Sequence, residues 1–114
     1  MDFEIQLAGF IEGSQKLIDQ YHVDCGFAPL QGKKLILMRG KKNIRIVAKD
    51  VWDGVVREES GSAWAFIDLA TGAIYKAASW AAPAKHARGN IMEADFGLKY
   101  IGKGAYMPGP ITYR

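Results

Sequence analysis

Between residues 3 and 21 the apolar side chains fall at Ile5, Ala8, Ile11, Leu17, Ile18 and Tyr21, with Leu7 and Phe10 beside them. A spacing of three and four predicts an amphipathic helix with a wide apolar stripe. Asp2 stands where an N-cap belongs, and Glu4 sits in the first turn, where the helix dipole favours an acid. Gly13-Ser14 predicts a weak point or a kink midway. Residues 24–29 read as a connector.

The period then drops to two. Residues 34–39 and 43–49 flank Gly40-Lys41-Lys42, which predicts a hairpin. In its second strand Ile44, Ile46 and Ala48 face one way while Arg45, Val47 and Lys49 face the other, so one face is packed and one wet. Residues 62–68 form a third strand, with Trp64 and Phe66 on one face and Ala63, Ala65 and Ile67 on the other. Asp68-Leu69-Ala70-Thr71-Gly72 is a type I turn closed by a glycine, after which residues 73–78 return as a fourth strand. The linker 51–61 contains Asp53-Gly54 and has room for a short strand at Val55-Val56. The expected fold is a single α+β domain over residues 1–114, a helix packed on an antiparallel meander of four to five strands.

The segment Ser79-Trp80-Ala81-Ala82-Pro83-Ala84-Lys85-His86-Ala87-Arg88-Gly89-Asn90-Ile91 carries the most chemistry. Pro83 suits the first position of a helix and Gly89 the left-handed residue past a helix end, so a short helix is expected between them. It would hold Lys85 and Arg88 on one face, near Trp80 and near Lys76 of the preceding strand. Beyond Ile91 the chain is rich in glycine and tyrosine and reads as an irregular tail. Its Tyr100, Tyr106 and Tyr113 need cover from the domain or a neighbouring subunit, which leads to the expectation of a homodimer.

Charge is distributed unevenly. Residues 1–24 carry five acids against Lys16 alone, whereas residues 33–49 carry seven basic residues and no acid. Residues 69–92 add Lys76, Lys85 and Arg88, again with no acid. Two readings stand side by side: the acidic helix neutralises the basic hairpin, or the hairpin presents a basic face to a polyanion. A lone cysteine, Cys25, excludes an internal disulfide and a cysteine-based zinc site. The acidic N-terminus lacks the pattern of a signal peptide, and no run is apolar enough for a membrane span, so a cytoplasmic protein is expected.

The residues from Asp68-Leu69-Ala70-Thr71-Gly72-Ala73-Ile74-Tyr75-Lys76-Ala77-Ala78-Ser79-Trp80 through Ala82-Pro83-Ala84-Lys85-His86-Ala87-Arg88-Gly89-Asn90-Ile91 resemble a block found in small uncharacterised proteins of tailed bacteriophages. The resemblance brings no activity, cofactor or catalytic residue. It implies a small accessory protein that handles nucleic acid, or one that binds and inhibits a host protein.

No reaction is legible. Gly102-Lys103-Gly104 lacks the spacing of a phosphate-binding loop, and His22 and His86 form no local metal motif. Cys25 has no nearby cation to activate it, and nothing places His86 beside Glu93 or Asp95 as an acid–base pair. The expectation is therefore a non-enzymatic protein without cofactor or metal. Its ligand is nucleic acid or a nucleotide, held by Arg45, Lys76, Trp80, Lys85 and Arg88. Trp64 and Phe66 are assigned to the core, because the helix needs a partner surface. Tyr75 and Trp80 are left open between core and surface.

Overall fold

Asp2 caps the helix as its position predicts: its Oδ1 accepts from the backbone N–H of Glu4 at 2.8 Å and of Ile5 at 3.2 Å. From there α1 spans Phe3–Asp24 in the computed structural model, which describes residues 2–24, 26, 32–103 and 108–109. Cys25, Tyr106 and Tyr113, and the side chain of Tyr100, lie outside the described residues.

The expected weak point at Gly13-Ser14 is not a break, because α1 is continuous. Gly9 and Gly13, four apart, share a face on which the C-terminal segment lies. A Cβ added at Gly9 would stand 2.5 Å from Phe96 Cδ1, and one at Gly13 would stand 2.4 Å from Leu98 Cδ1. Buried Gln6 ties the same segment down, donating to the carbonyls of Ile91 at 2.7 Å and Glu93 at 3.0 Å. Helix propensity was given up there for close approach.

The strands are β1 (Gly32–Arg39), β2 (Asn43–Trp52), β3 (Val55–Val56), β4 (Ser62–Asp68), β5 (Ala73–Ala77) and β6 (Pro83–Asn90). They form one antiparallel sheet in the order β1-β2-β4-β5-β6, with β3 folding back on β2. A 3-10 turn (Leu98–Tyr100) and a two-strand pairing of Gly102–Lys103 with Pro108–Gly109 follow. Gly72, at φ 78°, closes the β4–β5 turn, and Asp68 Oδ1 accepts from the N–H groups of Ala70 and Thr71. No helix among the described residues is long and apolar enough to cross a membrane.

Helix α1 covers one face of the sheet. Leu7, Phe10 and Ile18 pack against Leu35, Ile44, Ile46, Trp64, Ala65, Ile67 and Ile74. Phe10 meets Trp64 with ring centroids 6.0 Å apart.

Two expectations are corrected. Residues 83–89 are not a short helix; they belong to β6, the edge strand beside β5. Pro83 lacks an N–H, which an edge strand tolerates at its first residue, and Gly89 does not take a positive φ. Pairing with β5, distant from local sequence rules, supplies the hydrogen bonds that a helix of that length would have left unmade. The second correction concerns Trp64 and Phe66, which do not share a face. The β2–β4 register shifts between Ile46 and Val47, where β4 carries an extra residue, Trp64. That bulge resets the alternation. Trp64 joins the helix-side core, whereas Phe66 is buried on the opposite face.

Candidate basic and aromatic binding site

Alternation along β2 sends Arg45 to the face away from α1, between Met38 of β1 and Phe66 of β4, its direct cross-strand neighbours. The β5–β6 connection folds over this spot. Its turn is held by the N–H groups of Ala78 and Ser79, which donate to the Ala82 carbonyl at 3.0 and 3.2 Å. That turn delivers Trp80. The Arg45 guanidinium carbon lies 4.8 Å from the Trp80 ring centroid and 5.9 Å from that of Phe66. Both distances fall within the reach of a cation–π contact. Phe66 is buried under the stack, while Trp80 is 48% exposed.

Beside the stack is a cleft of about 240 Å³ at the tip of the β1–β2 hairpin, lined among others by Arg39, Lys41, Lys42, Arg45, Phe66 and Ala81. Among the described residues its lining includes no acid, and its Lys41, Lys42 and Arg45 make no ion pair, whereas Arg39 is held by Glu4. Inside the stack the Arg45 Nε is buried and has no hydrogen-bond partner among the described residues. The cleft suits a phosphate group, and the open indole beside it suits a planar ring.

The acidic helix and the basic hairpin meet, but only in part. Arg39 pairs with Glu4, Lys33 with Asp50 and Lys49 with Glu58. Lys34, Lys41, Lys42 and Arg45 make no ion pair among the described residues. Neutralisation therefore operates along the strands, and the tip stays basic.

Of the five residues expected to bind a ligand, the fold brings Arg45 and Trp80 together. Lys76 pairs with Ala65, which puts it on the helix side of the sheet, opposite to Arg45. Lys85 is exposed on edge strand β6, and Arg88, at 9% exposure, is not a solvent-facing cation. Without the short helix, the three-residue spacing of Lys85 and Arg88 no longer places them on one face. The expected Lys76–Lys85–Arg88 platform is thus replaced by Arg45, Trp80 and the hairpin tip. Phe66, Lys41 and Lys42 were missed as site residues. Lys41 and Lys42 lay in the basic stretch, whereas Phe66 was hidden by the bulge. The Asp95 carboxylate accepts from the N–H groups of Gly97 and Lys99 at 3.0 Å.

A family model described as a family of unknown function (DUF7717) matches residues 15–113. No curated protein matches the chain, and no solved structure does.

Proposed function

The chain belongs to the family of unknown function DUF7717, and from its site we propose that it is a non-enzymatic binder of nucleic acid or nucleotides. The phosphate sits among Lys41, Lys42 and Arg45, and a base rests on Trp80. One observation carries this reading: a cleft with three cations that make no ion pair and, among the described residues, no acid, next to an indole that is anchored on an arginine yet left half in solvent. A core tryptophan would be covered, and a merely structural arginine would hold a carboxylate. A small accessory protein that handles nucleic acid is also what the resemblance to tailed-phage proteins implies.

A protein-interaction module, or an inhibitor of a host protein, is the second reading. It draws on Trp52 and Val55, cross-strand neighbours at the far end of β2 that are both exposed. The two readings separate on salt. Fluorescence anisotropy with labelled single-stranded and duplex oligonucleotides should show binding that falls steeply as salt rises, because phosphate contacts release counterions. Absence of binding at low salt would remove the first reading and leave the second.

A further inference from the structure

A second feature lies on the other side of the molecule, at the free edge of β1. Gln15 of α1 reaches down to that edge, where its Nε2 donates to the Lys33 carbonyl at 2.8 Å and its Oε1 accepts from the Leu35 N–H at 2.9 Å. The carboxamide thus acts as a one-residue strand. In an antiparallel strand the N–H and C=O of one residue point the same way and alternate between residues. The outward set is therefore Lys33, Leu35, Leu37 and Arg39, while Gly40 turns inward to the Asn43 carbonyl at 2.9 Å. Gln15 closes one end of the edge. Among the described residues the Leu35 carbonyl, both polar groups of Leu37 and the Arg39 N–H stay open, a set centred on Leu37.

Above this open edge a groove of about 460 Å³ runs between α1 and β1, walled by Leu7, Ala8, Ile11, Leu35 and Leu37. Charged residues stand along its rim. Helix and strand run antiparallel, so Glu4 lies beside Arg39 at one end and Glu12 and Lys16 lie near Gln15 at the other. Such a groove takes something extended, apolar along one side and charged at its end.

We propose that the occupant is a second copy of this chain, added antiparallel through β1 about a two-fold axis at Leu37. In that register Leu37 exchanges both of its backbone bonds with the partner's Leu37. The Arg39 N–H donates to the carbonyl of the partner's Leu35, whose N–H is already served by Gln15. β1 ends at Arg39, so the partner strand stops where Gln15 begins. The partner's Leu37 and the stem of the partner's Arg39 enter the groove. Met38, 43% exposed on the other face, comes to lie against the partner's Ile36.

Charge complementarity selects this occupant. Opposite Leu35 the partner's Arg39 arrives beside Glu12, and the partner's Glu4 arrives beside Lys16. Two ion pairs that are internal to each chain, Glu12–Lys16 and Glu4–Arg39, become one row of alternating sign. The union joins the two sheets into one and removes an open edge from each chain.

Sedimentation over a wide concentration range tests the proposal directly. Wild-type chain should reach twice the mass of one chain, and Leu37→Pro, which deletes an outward N–H at an edge position, should return it to one chain mass while still folded. A crosslink covers the case in which Leu37→Pro fails to fold. In a Cys25→Ser background, Leu37→Cys should form a disulfide-linked dimer on mild oxidation. Paired residues at a hydrogen-bonded position lie about 5.5 Å apart at Cα, within the span of a disulfide. Val55→Cys, exposed on β3, should not crosslink. A wild-type chain that stays monomeric would overturn the proposal. So would Val55→Cys crosslinking as readily as Leu37→Cys, or a dimer undiminished in folded Leu37→Pro.

Discussion

The two faces of the sheet are built from the same strands and put to different uses. On the helix side, Ile44, Ile46 and Ile67 are fully buried and closed over by Phe10, Leu7 and Ile18. On the other side the intervening residues include Arg45 and Phe66; Phe66 is buried, whereas Arg45 stays partly exposed beneath a half-exposed Trp80. Period-two alternation means that one strand specifies both surfaces at once. The apolar set fixes register, because a slip by one residue would exchange the two faces. The partly open, cation-bearing spot at Arg45 is therefore held in register by the core behind it.

If that division is right, substitutions on the two faces should break different properties. Ile46→Ala should lower unfolding stability by about 2–5 kcal/mol, since a fully buried side chain leaves a cavity, and urea denaturation would measure it. Gly9→Ala should also destabilise, by about 1–3 kcal/mol, although alanine is the better helix former. The added methyl would meet three atoms of the Phe96 ring within 2.7 Å, and a flat ring cannot yield as a flexible chain end does. A stability equal to or above wild type would show that the helix and the C-terminal segment do not pack as described.

On the open face the order reverses. Trp80→Ala should leave the unfolding midpoint almost unchanged but weaken single-stranded oligonucleotide binding by about 1–3 kcal/mol, the loss of one stacking platform. Replacing Lys41 and Lys42 by alanine should weaken binding to all sequences alike and flatten the salt slope by about one to two units. A smaller effect belongs to Glu4→Gln, which removes an acid and releases Arg39 from its partner and should steepen the slope by at most about one unit. Lys85→Ala should leave the salt slope unchanged, because Lys85 is exposed on β6 and does not line the cleft.

The helix, its Asp2 cap, the basic hairpin and the Asp68–Gly72 turn were legible in the sequence, because each rests on local periodicity or turn chemistry. What escaped it was decided by distant partners. Pro83 and Gly89 satisfy the rules for helix ends and those for an edge strand, and only pairing with β5 chooses between them. Trp64 and Phe66 look like residues of one face until the extra residue opposite Ile46 and Val47 separates them. Gly13 looks like a defect until Leu98 is laid on it, as Phe96 is on Gly9. At the site, Arg45 and Trp80 were identifiable from residue type. Their union was not, since it depends on a turn folding back across two strands.

The chain holds its own internal reporters for the binding proposal, because its three tryptophans occupy three different environments. Trp64 is buried beneath α1, Trp52 is 51% exposed at the far end of β2, and Trp80 stands on Arg45. Titrating a short single-stranded oligonucleotide into ¹⁵N-labelled protein and following the indole and arginine Nε–H signals locates the ligand in one experiment. The Trp80 indole and the Arg45 Nε–H should shift together and saturate, with Trp64 and Trp52 unmoved. Shifts confined to Trp52, or no shift at any of the three indoles at low salt, would contradict the assignment of binding to the Arg45–Trp80 cleft.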